Sequence, residues 1–284
     1  MKDFFCFIQE QLQDFYPDSE IKSFCYLILE SVCSMDKSSV LRHKDKQLSL
    51  NEHFRIREIV EELKKHRPIQ YILGEAEFYG LKFKVDENVL IPRPETEEMV
   101  EWIVKGEKLQ AGYKLLDIGT GSGCISITLA KHLPEAEVFA LDISDEALNI
   151  ARQNADENQV DVHFFRYDIL KEEDFSFPFA SLVFDCIVSN PPYITWKEKA
   201  AMAKNVLDYE PHQALFVPDD NPLLFYERIA GFARSCLKEG GSLYLETSSL
   251  YGQASAKVFE DRKFRSVELL KDISGNDRII IAKL

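Results

Sequence analysis

Hydrophobic residues in the first seventy positions recur at helical spacing. Phe4, Ile8, Leu12 and Phe15 step by four, four and three, and Ile21, Phe24, Cys25, Ile28 and Val32 repeat the pattern after "PDSE". Residues so spaced share one face of a helix. "SLNE" (49–52) has the Ser-x-x-Glu spacing of a capping box and predicts a third helix with Phe54, Ile59, Val60 and Leu63 inward, closed by Pro68. This part of the chain reads as a small helical bundle.

The period changes after Tyr71. Phe78, Leu81, Phe83 and Val85 alternate around Gly80, which predicts a hairpin-like connector. "PRPETEEMVEWIVKG" then predicts a helix, with prolines before its start and glutamates in its first turn. From residue 113 onward, short apolar runs alternate with helical stretches. The predicted strands are "YKLLDI", "EVFALD", "VHFFRYD", "FDCIVS", "GSLYLET", "SVELLKD" and "RIIIAK". Helices "GCISITLAKHL", "DEALNIARQNADEN" and "PLLFYERIAGFARSCL" fall between them. Alternation of this kind predicts an α/β fold with a mainly parallel, seven-stranded sheet covered on both faces. Only "ISGND" joins the last two strands, so an antiparallel edge hairpin is expected. The predicted organisation is a helical bundle over 1–73, a β-hairpin linker over 74–98 and the α/β domain over 99–284.

Composition narrows the function. The 284-residue chain is 45% hydrophobic and 29% charged, with a formal net charge of −14. Uniform acidity argues against sequence-independent contact with a phosphate backbone, which needs clustered Lys and Arg. "LRHKDKQ" (41–47) and "KKHR" (64–67) are the basic stretches, and both read as solvated helix ends. No apolar run approaches the roughly 18 residues of a membrane span, and the N-terminus makes a poor signal peptide. Six cysteines without a CxxC pair and six histidines without HxH or HxxxH spacing point to a reducing, cytoplasmic compartment, with neither disulfides nor a zinc site.

Four strand ends carry the chemistry. The first predicted strand of the α/β domain runs into "DIGTGSGCISITLA", where Gly119, Thr120, Gly121, Ser122 and Gly123 form a glycine-rich strand-to-helix turn that lets a ligand approach the backbone. No Gly-Lys-Ser/Thr follows, so no triphosphate cradle is built, and the third glycine comes one residue early for a dinucleotide. The next strand ends in Asp142, where a carboxylate can accept both hydroxyls of a ribose, and the third ends near Asp168, placed to accept from an adenine amino group. A ligand with one nucleoside and no phosphates fits this set, and S-adenosyl-L-methionine is that ligand.

The fourth strand runs into "IVSNPPYI". In open parallel sheets ligands bind beyond the carboxyl ends of the strands, where strand order reverses, so this stretch is expected across the crevice from the glycine turn. An amide or aromatic amine is a poor nucleophile because its lone pair is delocalised. Two fixed acceptors, the Asn190 side-chain oxygen and the Pro191 carbonyl, would hold both hydrogens of such a nitrogen and favour its tetrahedral form. Pro191 and Pro192 keep that grip rigid, and Tyr193 is expected to offer a flat face to the planar group.

These residues resemble the class I (Rossmann-like) methyltransferases with an N-P-P-Y motif, which as a group methylate adenine N6, guanine N2, cytosine N4 or glutamine N5. "RPIQYILGEAEFYGLKFKVDENVLIPRPETEEMVE" (67–101), "DIGTGSGCISITLA", "DCIVSNPPYI", "YEPHQALF" (209–216) and "DRIIIAK" (277–283) together resemble the release factor glutamine methyltransferase family, the HemK/PrmC type. The resemblance implies methyl transfer from S-adenosyl-L-methionine to the side-chain nitrogen of the glutamine in the Gly-Gly-Gln loop of peptide-chain release factors. It implies that residues 119–123, Asp142, Asp168 and Asn190 contact the cofactor. It also implies that Asn190 to Tyr193 hold the glutamine and the helical domain docks the partner, with Arg93 of "IPRPETE" near the peptide. The expected partner is the release factor, with no direct nucleic-acid contact, no membrane and a monomeric chain.

The sequence departs from the family pattern in two places. Ile169 stands where an aromatic residue often follows the adenine-binding acid. "VPDDNPLLFYERI" and Thr247-Ser248 replace glycine-containing segments, in loops expected to lie outside the core of the site. The alternative reading is a nucleic-acid exocyclic-amine methyltransferase acting on adenine N6 or guanine N2, since a flipped base also presents a planar NH2. A non-catalytic module that kept the fold is a third, and the intact N-P-P-Y and G-x-G-x-G motifs speak against it.

Overall fold

A computed structural model describes residues 2–43, 46–107, 112–171 and 182–284. Lys44 and Asp45 of the basic stretch 41–47 lie outside the described residues. The chain divides into two compact units, Met1–Glu75 with Ala203–Tyr209, and Ala76–Met202 with Glu210–Leu284. Among the described residues no helix is long and apolar enough to cross a membrane.

The first unit is helical: α1 (Lys2–Leu12), α2 (Asp18–Cys33), α3 (Lys37–Arg42), α4 (Leu50–Leu63) and α5 (Ile69–Leu73). Ile8, Leu12, Ile21, Ile28, Ile59 and Leu63 close its core. The capping box is present: Ser49 Oγ accepts from the Glu52 N–H at 3.3 Å, and Glu52 Oε2 accepts from the Ser49 N–H at 2.6 Å. Two expected inward positions are exposed, one on helical phase and one beyond a helix end. Phe54 is 67% exposed and Ile56 takes the inward position, because Ile56, Ile59, Val60 and Leu63 follow the i, i+3, i+4, i+7 rule. Phe54 lies two residues earlier, about 200° round the helix. Phe15 lies beyond the end of α1 and is 40% exposed.

The second unit begins with the predicted hairpin, β1 (Glu75–Phe78) and β2 (Leu81–Lys84), followed by α6 (Pro94–Gly106) with Pro94 at its start. Then come β3 (Lys114–Ile118), α7 (Cys124–His132), β4 (Glu137–Asp142), α8 (Asp145–Asn158), β5 (His163–Arg166) and β6 (Phe184–Ser189). After two-residue β7 (Ile194–Thr195), α9 (Lys204–Tyr209) and two-residue β8 (Phe216–Val217) come α10 (Leu224–Cys236), β9 (Leu237–Glu246), α11 (Gly252–Asp261), β10 (Ser266–Lys271) and β11 (Asp277–Lys283). α9 belongs to the helical unit, where the Tyr209 hydroxyl donates to the Lys65 carbonyl at 3.0 Å.

The seven predicted strands form one sheet, in the order β10-β11-β9-β6-β3-β4-β5. It is parallel from β9 to β5, and β11 runs antiparallel to both its neighbours. Strand period two divides its side chains between the faces. Leu116, Ile118, Phe139, Leu141 and Ile187 pack with α10 and α11, whereas Leu115, Val138, Ala140, Cys186 and Val188 pack with α6, α7 and α8. The short α3, α5 and α9, together with α11, were not predicted; too few apolar positions mark them. Strand order reverses between β3 and β6, so the crevice expected beyond their carboxyl ends opens there.

Candidate active site

Register brings distant stretches level. Ile118 of β3 pairs with Ser189 of β6, and Ser189 pairs with Leu245 of β9. Gly119, Asn190 and Glu246 therefore leave three adjacent strands at the same height. A cavity of about 530 Å³ opens above them, within the usual range of small-molecule sites (about 300–1,000 Å³).

The turn after β3 is built from backbone. The N–H groups of Gly119 and Thr120 both donate to the Leu141 carbonyl, at 2.9 and 2.8 Å. The Gly121 N–H donates to Asp142 Oδ2 at 2.8 Å and the Ser144 N–H to Oδ1 at 3.0 Å, so the carboxylate is held at the cavity wall. Burial pushes the Asp142 carboxyl up, and those N–H groups pull it back. Buried Asn154 ties the turn to the hairpin: its Nδ2 donates to the Ser122 carbonyl at 2.8 Å, and its Oδ1 accepts from the Lys84 N–H at 2.6 Å. Beneath the turn Asp117 Oδ2 accepts from the Thr120 hydroxyl at 2.6 Å. Complete burial pushes the Asp117 carboxyl up to about 7.

Gly119, Thr120, Gly121, Ser122, Asp142, Asp168, Asn190, Pro191, Pro192 and Arg93 all line the cavity. Gly123 and Tyr193 do not. At Gly123, with φ of +81°, a Cβ would stand 2.6 Å from Ile127 Cδ1 and 3.2 Å from Ala151 Cβ. That glycine permits close packing of α7 on α8. Tyr193 turns its hydroxyl to Glu246 Oε1, 3.0 Å away, and packs its ring against the core of the α10 face. The ring is half-buried, and Glu246 supplies the hydrogen-bond partner that the phenol needs.

Asn190 is anchored from behind. Its Nδ2 donates to Thr96 Oγ1 at 3.1 Å, and the Thr96 hydroxyl donates to Glu246 Oε2 at 2.6 Å. Thr96 and Glu246 are 2% and 1% exposed. Burial pushes the Glu246 carboxyl up, against the hydroxyls of Thr96 and Tyr193 and the charge of Arg278. Arg93 sits on the wall, its Nη2 2.7 Å from both oxygens of the buried Glu210 carboxylate. "IPRPETE" and "YEPHQALF" are thereby fastened together.

Thr96, Asp117, Glu210 and Glu246 are the residues sequence reasoning missed. The loops expected outside the site are in part its wall: Pro218, Leu224 and Phe225 of "VPDDNPLLFYERI" line the cavity. Glu246 could have been found, since it is a strand-end carboxylate like Asp142. Among the described residues, no group of three or more His, Cys, Asp or Glu is placed to hold a metal ion.

Comparison with known proteins gives the family. Residues 7–74 match the family model of the PrmC N-terminal domain, and residues 101–214 match the methyltransferase small domain. A release factor glutamine methyltransferase of Flavobacterium psychrophilum is 46% identical over 275 residues, covering 95% of this chain and 94% of that protein. Its counterpart in Bacteroides thetaiotaomicron is 48% identical over 276 residues, 97% of each. The chain belongs to the release factor glutamine methyltransferase family. Among solved structures, a methyltransferase from Pyrococcus furiosus aligns with a TM-score of 0.51 at 18% identity, over 82% of this chain and 98% of that one, a likeness of fold alone. The chain is thus an S-adenosylmethionine-dependent methyltransferase with the class I fold. As a member of the release factor glutamine methyltransferase family it carries the sheet, the glycine turn and N-P-P-Y in one crevice.

Proposed function

We propose that this protein transfers a methyl group from S-adenosyl-L-methionine to the side-chain amide nitrogen of the glutamine in the Gly-Gly-Gln loop of peptide-chain release factors. One observation carries the reading: Asn190, its amide nitrogen committed to Thr96, lines the same cavity as the glycine turn and Asp142.

The cavity's residues fit the cofactor. Ser122 Oγ is buried with only the weakly bonding Cys124 thiol beside it and belongs to the wall, a polar group that a bound ligand would satisfy better. Gly119 to Ser122 would hold the amino-acid part of the cofactor through backbone, Asp142 would accept from the ribose hydroxyls, and Asp168 would accept from the adenine amine. Ile169, Leu224 and Phe225 provide the apolar walls for the base in place of the expected aromatic neighbour. When bound, the cofactor supplies a methyl activated by its sulfonium.

The chain's own work is to hold the amide. Asn190 Oδ1 and the Pro191 carbonyl accept the two N–H bonds of the glutamine side chain, and Pro191 and Pro192 fix that geometry before the substrate arrives. Proton loss follows to solvent. Arg93 serves as the fastener of two loops through Glu210. The helical unit docks the release factor, and the protein works as a cytoplasmic monomer without direct nucleic-acid contact; the net charge of −14 supports the last point. Incubation with methyl-labelled cofactor and either a purified release factor or bulk nucleic acid tests this. Label is expected in the release factor; label in nucleic acid alone would overturn the assignment in favour of the exocyclic-amine reading.

A further inference from the structure

We propose that Thr96 and Glu246 are positioning residues: through one chain of hydrogen bonds they decide which end of the Asn190 carboxamide faces the substrate. The inference rests on the reading above, in which Asn190 Oδ1 accepts from the substrate nitrogen.

A carboxamide is nearly symmetric in shape but opposite in chemistry at its two ends: the oxygen only accepts and the nitrogen only donates. A flipped Asn190 would fill the same space and point a donor at a nitrogen that itself must donate. Something has to forbid the flip, and the packing of an amide cannot.

The structure contains a device that does. Glu246 leaves β9 beside Asn190 because Ser189 pairs with Leu245. Its two oxygens face two hydroxyls, Tyr193 at 3.0 Å and Thr96 at 2.6 Å. An ionised carboxylate is acceptor-only, so both hydroxyls must donate to it. With its one hydrogen spent on Glu246, Thr96 Oγ1 can only accept from Asn190. The group 3.1 Å away must then be Nδ2, and Oδ1 is left for the cavity that Asn190 lines. Charge at Glu246 thus fixes polarity two hydrogen bonds away. Arg278, paired with Asp272 at 3.2 Å, lies close enough to favour the ionised form.

The same logic runs backwards. A proton on Glu246 Oε2 would donate to Thr96 Oγ1. The Thr96 hydrogen would then turn to Asn190 and select Oδ1, leaving the nitrogen in the cavity. The groups facing Glu246 are the hydroxyls of Thr96, Tyr193 and Tyr226, the carboxylate of Glu95, the guanidinium of Arg278 and the thiol of Cys124. The phenols of Tyr193 and Tyr226 and the Cys124 thiol are held above their ordinary values by burial and stay neutral. Glu246 is the member of the chain that titrates as pH falls, and its carboxyl is already raised by burial.

The test measures kcat, KM for a release factor and cofactor affinity in the full-length wild type and in Thr96→Val, Thr96→Ser and Glu246→Gln. Thr96→Val keeps the shape and breaks the chain; kcat is expected to fall on the order of 10²-fold, the size of a misplaced catalytic group, with cofactor affinity within about threefold of wild type. Thr96→Ser restores the hydroxyl and most of kcat. Glu246→Gln has no charge and can turn either end to Thr96, so it no longer fixes the polarity of Asn190; kcat falls less than in Thr96→Val, and by the same factor at every pH. The wild type shows an acidic limb, with kcat lost as pH falls through the raised Glu246 value, and Glu246→Gln lacks that limb. The proposal is overturned if Thr96→Val keeps kcat within threefold of wild type, if Thr96→Ser is as impaired as Thr96→Val, or if cofactor affinity falls with kcat. Should Thr96→Val not fold, Glu246→Gln decides through its pH profile: an acidic limb unchanged from wild type overturns the proposal. A wild type that methylates no release factor would instead refute the proposed function.

Discussion

The turns after β3 and β6 leave adjacent strands at the same height and are built by opposite means. The β3 turn is backbone: glycines at positive φ, N–H groups on Leu141 and Asp142, and little side chain over the cavity. The β6 turn is side chain and proline, with Asn190 and Tyr193 held by Thr96 and Glu246 from two other elements. The difference follows from the tasks. A cofactor with many polar atoms can be bound by any backbone that comes close. Holding two hydrogens of one nitrogen needs acceptors of fixed polarity, and a side chain acquires fixed polarity only from its neighbours.

Mutations can pull the two turns apart. Asn190→Ala should lower kcat by roughly 10²–10³-fold, the effect of losing one preorganised partner of the reacting group, while calorimetry finds cofactor affinity nearly unchanged. Asp142→Ala should do the reverse, weakening cofactor binding by about 10–100-fold through loss of charge-assisted hydrogen bonds, with kcat recovered at saturation. Matching losses of both quantities in both variants would erase the proposed division of labour.

A smaller effect separates scaffold from chemistry. Arg93→Ala leaves the Glu210 carboxylate buried without its cation. Because Arg93 is itself 30% exposed, the cost falls below that of a fully buried pair, at about 2–3 kcal/mol in urea melts. An Arg93→Ala protein of wild-type stability would break the link between the two loops.

Smaller still is the contrast within the glycine turn. Gly123→Ala meets Ile127 and Ala151 and should cost about 2 kcal/mol of stability. Gly119→Ala meets nothing within 4 Å, so only its φ of +76° opposes it, at about 1 kcal/mol. Its side chain stands on the cavity wall and should weaken cofactor binding more than Gly123→Ala does. Equal stability and equal affinity in the two variants would remove the distinction between packing and ligand glycines.

What the sequence disclosed follows the same division. The seven strands and the glycine turn are local patterns, a few consecutive residues each, and they were read almost residue by residue. N-P-P-Y was read because proline at a strand end needs an explanation that its neighbours provide. Thr96, Glu210 and Glu246 were missed because their partners lie 94, 117 and 53 positions away, at Asn190, Arg93 and Tyr193, and only the sheet register brings them together. The anchoring of the Tyr193 hydroxyl was missed for that reason: Glu246, its partner, comes from another strand. Phe54 was misread on phase alone.

The central claim is that Asn190 and Pro191 grip the amide of one glutamine in front of an activated methyl. Tandem mass spectrometry of a release factor treated with the enzyme and S-adenosyl-L-methionine tests it most directly. One added methyl is expected on the side chain of the Gly-Gly-Gln glutamine, and none after treatment with Asn190→Ala. An unmodified glutamine with methyl found elsewhere, or the same modification made by Asn190→Ala at the wild-type rate, would contradict it.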